Sequence, residues 1–244
     1  MSYKFVNGIP MLRSKSELAQ HIIRIPQPDS SQITIELLGP SQPSKVLGIW
    51  STPAGDSSKM MEHMVEKGMK WATCVQSSTL HPQEVWYSLI TQALPEVCYG
   101  LIALMASRQC IDNHLPKWYF KCLPHLGVHR SIALPWRTLP RRFQGLGLPI
   151  FSLEKLADCL RLLQRHWGTE STLGKALKCS FELVQVETGL EGNFLTRSYP
   201  RLSNLASHSW LKLLWELVHH YHVTVVFPED VSIPPLRERD KVLM

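Results

Sequence analysis

The chain contains no adjacent pair of aspartates, so no local carboxylate couple stands ready to hold two metal ions for phosphoryl transfer. Its one neighbouring acidic pair, Glu229 and Asp230, lies in a proline-flanked stretch and reads as solvated. Gly-x-Ser-x-Gly is absent, and no cysteine carries a local nucleophile signature. Neither Gly-x-Gly-x-x-Gly nor a Walker loop occurs, and "GLGLP" has the wrong spacing for a phosphate cradle. The six cysteines, Cys74, Cys98, Cys110, Cys122, Cys159 and Cys179, form no Cys-x-x-Cys pair. Their wide spacing predicts reduced, mostly buried thiols inside a cell. His125 and His129, and the His219, His220 and His222 group, have no Cys or carboxylate set at ligand spacing. A surface or base-stacking role is favoured over zinc. No apolar run reaches the roughly 18 residues of a membrane span, "VCYGLIALMA" being the nearest, and the N-terminus has no signal-peptide core. The expectation is an intracellular protein without a membrane partner, with nucleus and cytoplasm both open.

What is present suits a globular protein. The 244 residues are 44% hydrophobic and 19% charged, enough for a real core in one or two domains. The 26 Lys and Arg against 20 Asp and Glu leave a net charge of +6. That excess fits a polyanionic partner, and equally fits many proteins without one.

Periodicity predicts a mainly α-helical fold with a few short strands. "ITIELL", Ile33 to Leu38, alternates as a half-buried strand does, and Val46 to Trp50 is a second strand candidate. Asp56 or Ser57 can cap the next helix, whose stripe holds Met60, Met61, Met64, Val65, Gly68, Met69, Ala72 and Val75. Pro82 starts another helix, which Pro95 must stop or kink. Ser107 caps Arg108 onward, and Pro116 and Pro124 break the helical pattern beyond it into short pieces. Residues 125–149 form a long connection rich in Arg, Pro and Gly, whose glycines allow turns and close backbone approach. Ser152 is expected to cap a helix with Leu153, Leu156, Ala157, Leu160 and Leu163 inside. Thr172 to Thr188 is helical and ends at Gly189, Ser207 to Tyr221 is amphipathic, and "VTVVF" is a short strand candidate. The closing "LRERDKVLM" opens a helical pattern that the chain end cuts off, which fits a piece of a longer protein.

Basic residues interleaved with aromatics are the feature closest to chemistry. Lys117, Lys121, Arg130, Arg137, Arg141 and Arg142, with His125 and His129, lie among Trp118, Tyr119, Phe120, Trp136 and Phe143. Such a mixture can follow a phosphate backbone and stack on bases. It can also be a set of solvated cations over a buried aromatic core, and Trp136 is expected to be buried.

The order of "KVLGIW", "MKWA", "LITQALPEVCYGL", "FQGLGLPIF" and "LLQRHW" resembles the C-terminal part of retrotransposon reverse transcriptases, just after the polymerase palm. "SWLKLLWEL" and "LRERDKVLM" resemble the region downstream. The resemblance implies a palm edge over 1–55, with Leu47, Gly48, Ile49 and Trp50 as a primer-grip-like hairpin. It implies a thumb-like helical region over 56–168 and a truncated downstream helical region over 169–244. Lys117, Lys121, Arg130, Arg137, Arg141 and Arg142 would then face an RNA or DNA template–primer duplex. The family's Tyr-x-Asp-Asp-type turn and its Mg site are missing, as are the fingers and most of the palm. The chain itself is expected to hold no cofactor and no catalytic residues, and not to polymerise alone. The alternative is a non-enzymatic helical interaction module that docks a protein through the methionine stripe; an ordinary core is the favoured reading of that stripe.

Overall fold

A computed structural model of the protein describes residues 3–6, 9–12, 17, 23–26, 32–35, 39, 41–52 and 54–227. Residues 36–38 of the strand expected over Ile33 to Leu38, the Glu229–Asp230 pair and "LRERDKVLM" lie outside them. The fold is mainly helical with short strands, as the periodicity indicates. It divides into two compact units, Met1–His63 and Met64–Met244.

Among its described residues the first unit carries three antiparallel hairpins. β1 (Tyr3–Val6) pairs with β2 (Ile9–Leu12), β3 (Ile23–Pro26) with β4 (Gln32–Ile35), and β5 (Ser44–Val46) with β6 (Ile49–Ser51). The last corrects the single strand expected over Val46 to Trp50. Leu47 and Gly48 both adopt positive φ, 49° and 86°, which folds the run back on itself as a two-residue turn. Lys45 faces Trp50 across the ladder, with its ammonium 5.9 Å from the ring. Asp56 then opens the first helix, α1 (Ser58–Gln76): its carboxylate accepts the Ser58 N–H at 3.0 Å and the Ser58 hydroxyl at 2.7 Å. The hydroxyl bond from Ser58 holds the Asp56 carboxyl below its ordinary range.

The methionine stripe is core. Met60, Met64, Gly68, Ala72 and Val75 are buried at helical spacing, while Met61, Val65 and Met69 are half-buried. The next helix, α2 (Pro82–Ser88), does not stop at Pro95. It passes through a π turn, Leu89–Ala93, into α3 (Leu94–Cys98). The Leu94 N–H reaches back five residues to the Leu89 carbonyl. That one-residue slip accommodates a proline whose ring would clash with the preceding turn of an unbroken α-helix.

Indole N–H groups pin distant segments together. Trp71 donates to Ser88 Oγ at 2.9 Å, Trp86 to the Leu126 carbonyl at 3.0 Å, and Trp210 to Ile102 at 3.1 Å. Trp215 donates to Arg197 at 3.0 Å. Each removes a polar atom from the cost of burying a large ring.

Ser107 caps α4 (Arg108–His114) as expected. After α5 (Lys117–Phe120) and α6 (Leu134–Thr138) comes α7 (Phe151–His166), where two expectations fail. Ser152 is no cap: it is fully buried, donates to Asp112 Oδ2 at 2.9 Å and accepts from Tyr221 at 2.6 Å. Leu153 is exposed, and Lys155 takes the inward position. Lys155 is 1% exposed and donates to the carbonyls of Leu104 at 2.5 Å and Ala106 at 3.3 Å.

α8 (Thr172–Thr188) matches its expected span, capped by Ser171 and ended by Gly189 at φ 66°. After α9 (Tyr199–Leu202), α10 (Trp210–His220) starts three residues later than expected. Leu156, Cys159 and Leu163 of α7 share one core with Phe181 and Val184 of α8 and Leu214 and Trp215 of α10. "VTVVF" is not a strand. Val223, Val225 and Phe227 pack on that core, and the Val225 carbonyl accepts from Asn193 at 2.7 Å.

The cysteines are less buried than expected: Cys122 and Cys159 are buried, Cys98 and Cys110 half-buried, and Cys74 and Cys179 exposed. Burial pushes Cys98, Cys122 and Cys159 up from an ordinary 9.0 to about 12, 11 and 12. In the unfolded chain these thiols ionise near pH 9, whereas in the fold they stay protonated. Stability from them is therefore complete below pH 9 and lost as pH rises toward 11–12. Lys155 opposes this: burial lowers its folded pKa, so it adds stability as pH rises toward 10.5. With three thiols against one lysine, the fold should weaken from pH 9 to pH 10. Each fully buried thiol contributes a loss of about 1 kcal/mol over that unit, because the unfolded thiol is half ionised at pH 9, and the half-buried Cys98 less. Urea denaturation in reductant at pH 8, 9 and 10 measures it. A joint Cys122→Ala and Cys159→Ala variant should show a flatter slope, and an unchanged slope would refute the assignment.

Candidate nucleic-acid interface

The six cations singled out in the sequence occupy α5 and the connection to α7. This connection folds on itself. The N–H groups of Leu146, Gly147 and Leu148 donate to the carbonyls of Trp136, Leu139 and Arg137 at 2.9, 2.9 and 2.8 Å. Gly145 approaches Leu139 so closely that a Cβ there would lie 2.5 Å from the Leu139 carbonyl carbon. Arg141 and Arg142 sit at the loop's apex on a 3-10 turn, Arg141–Phe143.

Arg137 differs from the other five. Its guanidinium donates to the Ile132 and Arg130 carbonyls at 2.8 and 3.0 Å, and lies 4.6 Å from the Phe120 ring. It staples the loop to α5. Lys117, Lys121, Arg130, Arg141 and Arg142 are exposed. Arg141 stacks 5.0 Å over Trp86 and Arg142 4.8 Å over Phe143. Both contacts hold a planar cation at the surface with much of its fork open to an anion.

The aromatics divide. Trp118 and Tyr119 are buried and Phe120 is half-buried, so they form the floor. Trp136 is 50% exposed and Phe143 56%, which corrects the expectation that Trp136 is buried. Trp136→Ala should therefore leave the melting temperature within a degree or two of the parent. Arg137→Ala should lower it further, at a cost of about 1–3 kcal/mol in stability, because two carbonyls and a stacked ring lose one partner. Thermal melts of the two variants check the ranking, which a larger Trp136 effect would overturn.

The distribution of charge is the stronger signal. From Asn113 to Leu153 there is no Asp or Glu, while the six cations named above all fall there. The remainder carries 26 − 6 = 20 cations against 20 − 0 = 20 acids, so the whole net charge of +6 resides in this stretch.

Beside this surface lies an open groove of about 520 Å³ lined by Gln83, Trp86, Tyr87, Ile90, Arg141, Gly145 and Leu146. By sequence, Val85, Trp86, Leu89, Ile90 and Ala93 follow Pro82 at helical spacing, and Tyr87 and Gln83 are not singled out. Gln83, Trp86 and Tyr87 on α2 and Ile90 in the π turn recur at helical spacing, and that was the available signal.

A half-buried polar set, also unforeseen, links α4, α7 and the end of α10: Arg108 pairs with Asp112 at 3.2 Å, Asp112 with Ser152, and Ser152 with Tyr221. It joins three segments, and Arg108 and Asp112 also line a cavity of about 590 Å³ with Asn113, Tyr119 and Phe120. Of the positions the resemblance implies as primer-grip-like, Leu47 and Gly48 form the β5–β6 turn and Ile49 and Trp50 begin β6; Leu47 is 86% exposed, and Gly48, Ile49 and Trp50 are half-buried. His129 Nδ1 accepts the Ser131 N–H at 3.1 Å. Among the described residues no group of three or more His, Cys, Asp or Glu is placed to hold a metal, and no helix is long and apolar enough to cross a membrane.

Comparison with known protein families, with curated proteins and with solved structures finds no match for this chain.

Proposed function

We propose that the chain is a non-catalytic holder of a nucleic-acid phosphate backbone, in the manner of the thumb of the retrotransposon reverse transcriptases that its motif order resembles. One observation carries the reading: the entire net charge lies in a carboxylate-free stretch whose five exposed cations surround exposed rings. A surface of one sign attracts a polyanion and releases its counterions on contact. Arg141 and Arg142, splayed over Trp86 and Phe143, present donors suited to phosphate oxygens. Arg137 keeps the loop in shape and touches no ligand in this reading. Shape and charge, with little base readout, set affinity for a template–primer duplex. Polymerisation is not part of the proposal, because the sequence has no aspartate couple.

The test is fluorescence anisotropy with an RNA–DNA duplex of about 16 base pairs across a salt series. The affinity should fall steeply and linearly on a log–log plot, with a slope of several tenths per phosphate contact. A flat salt response, or no binding at low salt, would defeat the proposal.

A further inference from the structure

The groove beside the basic loop has a shape that a duplex alone does not use. Its two walls come from different parts of the chain. Gln83, Trp86 and Tyr87 of α2 and Ile90 of the π turn form one wall. Across from it, Arg141, Gly145 and Leu146 belong to the carboxylate-free loop. Trp86 is fixed by its N–H bond to the Leu126 carbonyl, and the Arg141 guanidinium covers its ring. Tyr87, by contrast, is 72% exposed and Ile90 44%. The groove therefore combines an accessible ring, an amide able to donate and accept, and a cation on one rim. Its roughly 520 Å³ lies within the range of small-ligand sites.

We infer that this groove takes an unpaired nucleobase, stacked on Tyr87, while the flanking phosphates lie on Arg141 and Arg142. The preferred ligand is then nucleic acid with a single-stranded stretch. This deepens the phosphate-backbone proposal and rests on it. The occupant follows from charge complementarity: a ligand reaching Tyr87 passes a rim with no carboxylate from Asn113 to Leu153. A base supplies the flat apolar face that Tyr87 and Ile90 present, and an edge for Gln83. The exposure of Tyr87 makes it replaceable without disturbing the core.

The test compares three fluorescent ligands of equal charge on the full chain: a single-stranded 12-mer, the same strand with abasic sites, and a duplex. The base-bearing strand should bind about tenfold more tightly than the abasic one, the order expected of one stacked base. Tyr87→Ala should erase that difference and leave the abasic affinity and the salt slope unchanged, while Tyr87→Phe should keep it. Equal, salt-sensitive binding of the base-bearing and abasic strands would overturn the base slot and leave the backbone reading standing. A base preference that survives Tyr87→Ala would overturn its placement in this groove. No binding of any ligand at low salt would sink both.

Discussion

Lys155→Ala should cost the fold about 3–5 kcal/mol, read as a fall in urea midpoint at unchanged m-value. Lys155 is almost completely enclosed, and its ammonium bonds the Leu104 and Ala106 carbonyls. Alanine removes the stem, which leaves a cavity, and the ammonium, which leaves two inward carbonyls without a donor. An orphaned buried carbonyl costs about 1–3 kcal/mol. The enclosed charge carries its own penalty, seen in the lowered Lys155 pKa, and removing it returns part of the loss. Lys155→Met separates the two, because it keeps the volume and deletes the donor. Its cost should fall between those of the parent and alanine. If alanine lies within about 1 kcal/mol of the parent, the pin is not needed.

Gly68→Ala should also destabilise, against its local propensity. In an exposed helix the change would gain about 1 kcal/mol. At Gly68 the added Cβ would lie 2.5 Å from Trp118 Cδ1 and 2.6 Å from Cδ2. Trp118 is fully buried and meets Trp71 edge to face at 5.5 Å, so its ring has little room to move. Overpacking of this kind costs about 1–3 kcal/mol or more, which makes the net effect a loss. Trp118→Phe should rescue Gly68→Ala in part, because the smaller ring frees space. A Gly68→Ala protein more stable than its parent would show that Trp118 yields.

Elements set by neighbouring residues were legible in the sequence. The span of α8 follows from its helical pattern and Gly189, and the core face of α1 from methionines at helical spacing. What was not legible depends on distant partners. Lys155 looks like a surface lysine until the Leu104 and Ala106 carbonyls, far upstream, meet it. Ser152 has the chemistry of a cap, but Asp112 and Tyr221 claim its hydroxyl. Val46 to Trp50 reads as one strand by composition, and only positive φ at Leu47 and Gly48 makes it a hairpin. In the carboxylate-free stretch, residue type and position pointed to six cations. Which of them staples the loop, and which ring is open, depends on where Phe120 and Trp86 fall in space.

The central claim is that binding is localised, not a consequence of net charge. Two variants with the same net charge, +6 − 5 = +1, test it. One changes Lys117, Lys121, Arg130, Arg141 and Arg142 to Ala; the other changes Lys70, Arg161, Arg165, Lys175 and Arg201, also exposed. Affinity for one duplex is measured over the same salt series, with melting followed on the same samples. The account predicts that the first variant loses most of the affinity and flattens the salt slope, by up to about 0.9 per contact on B-form DNA and less on other duplexes. The second should keep nearly parental affinity and slope. If two folded variants lose binding equally, the surface between Lys117 and Arg142 is an ordinary solvated face.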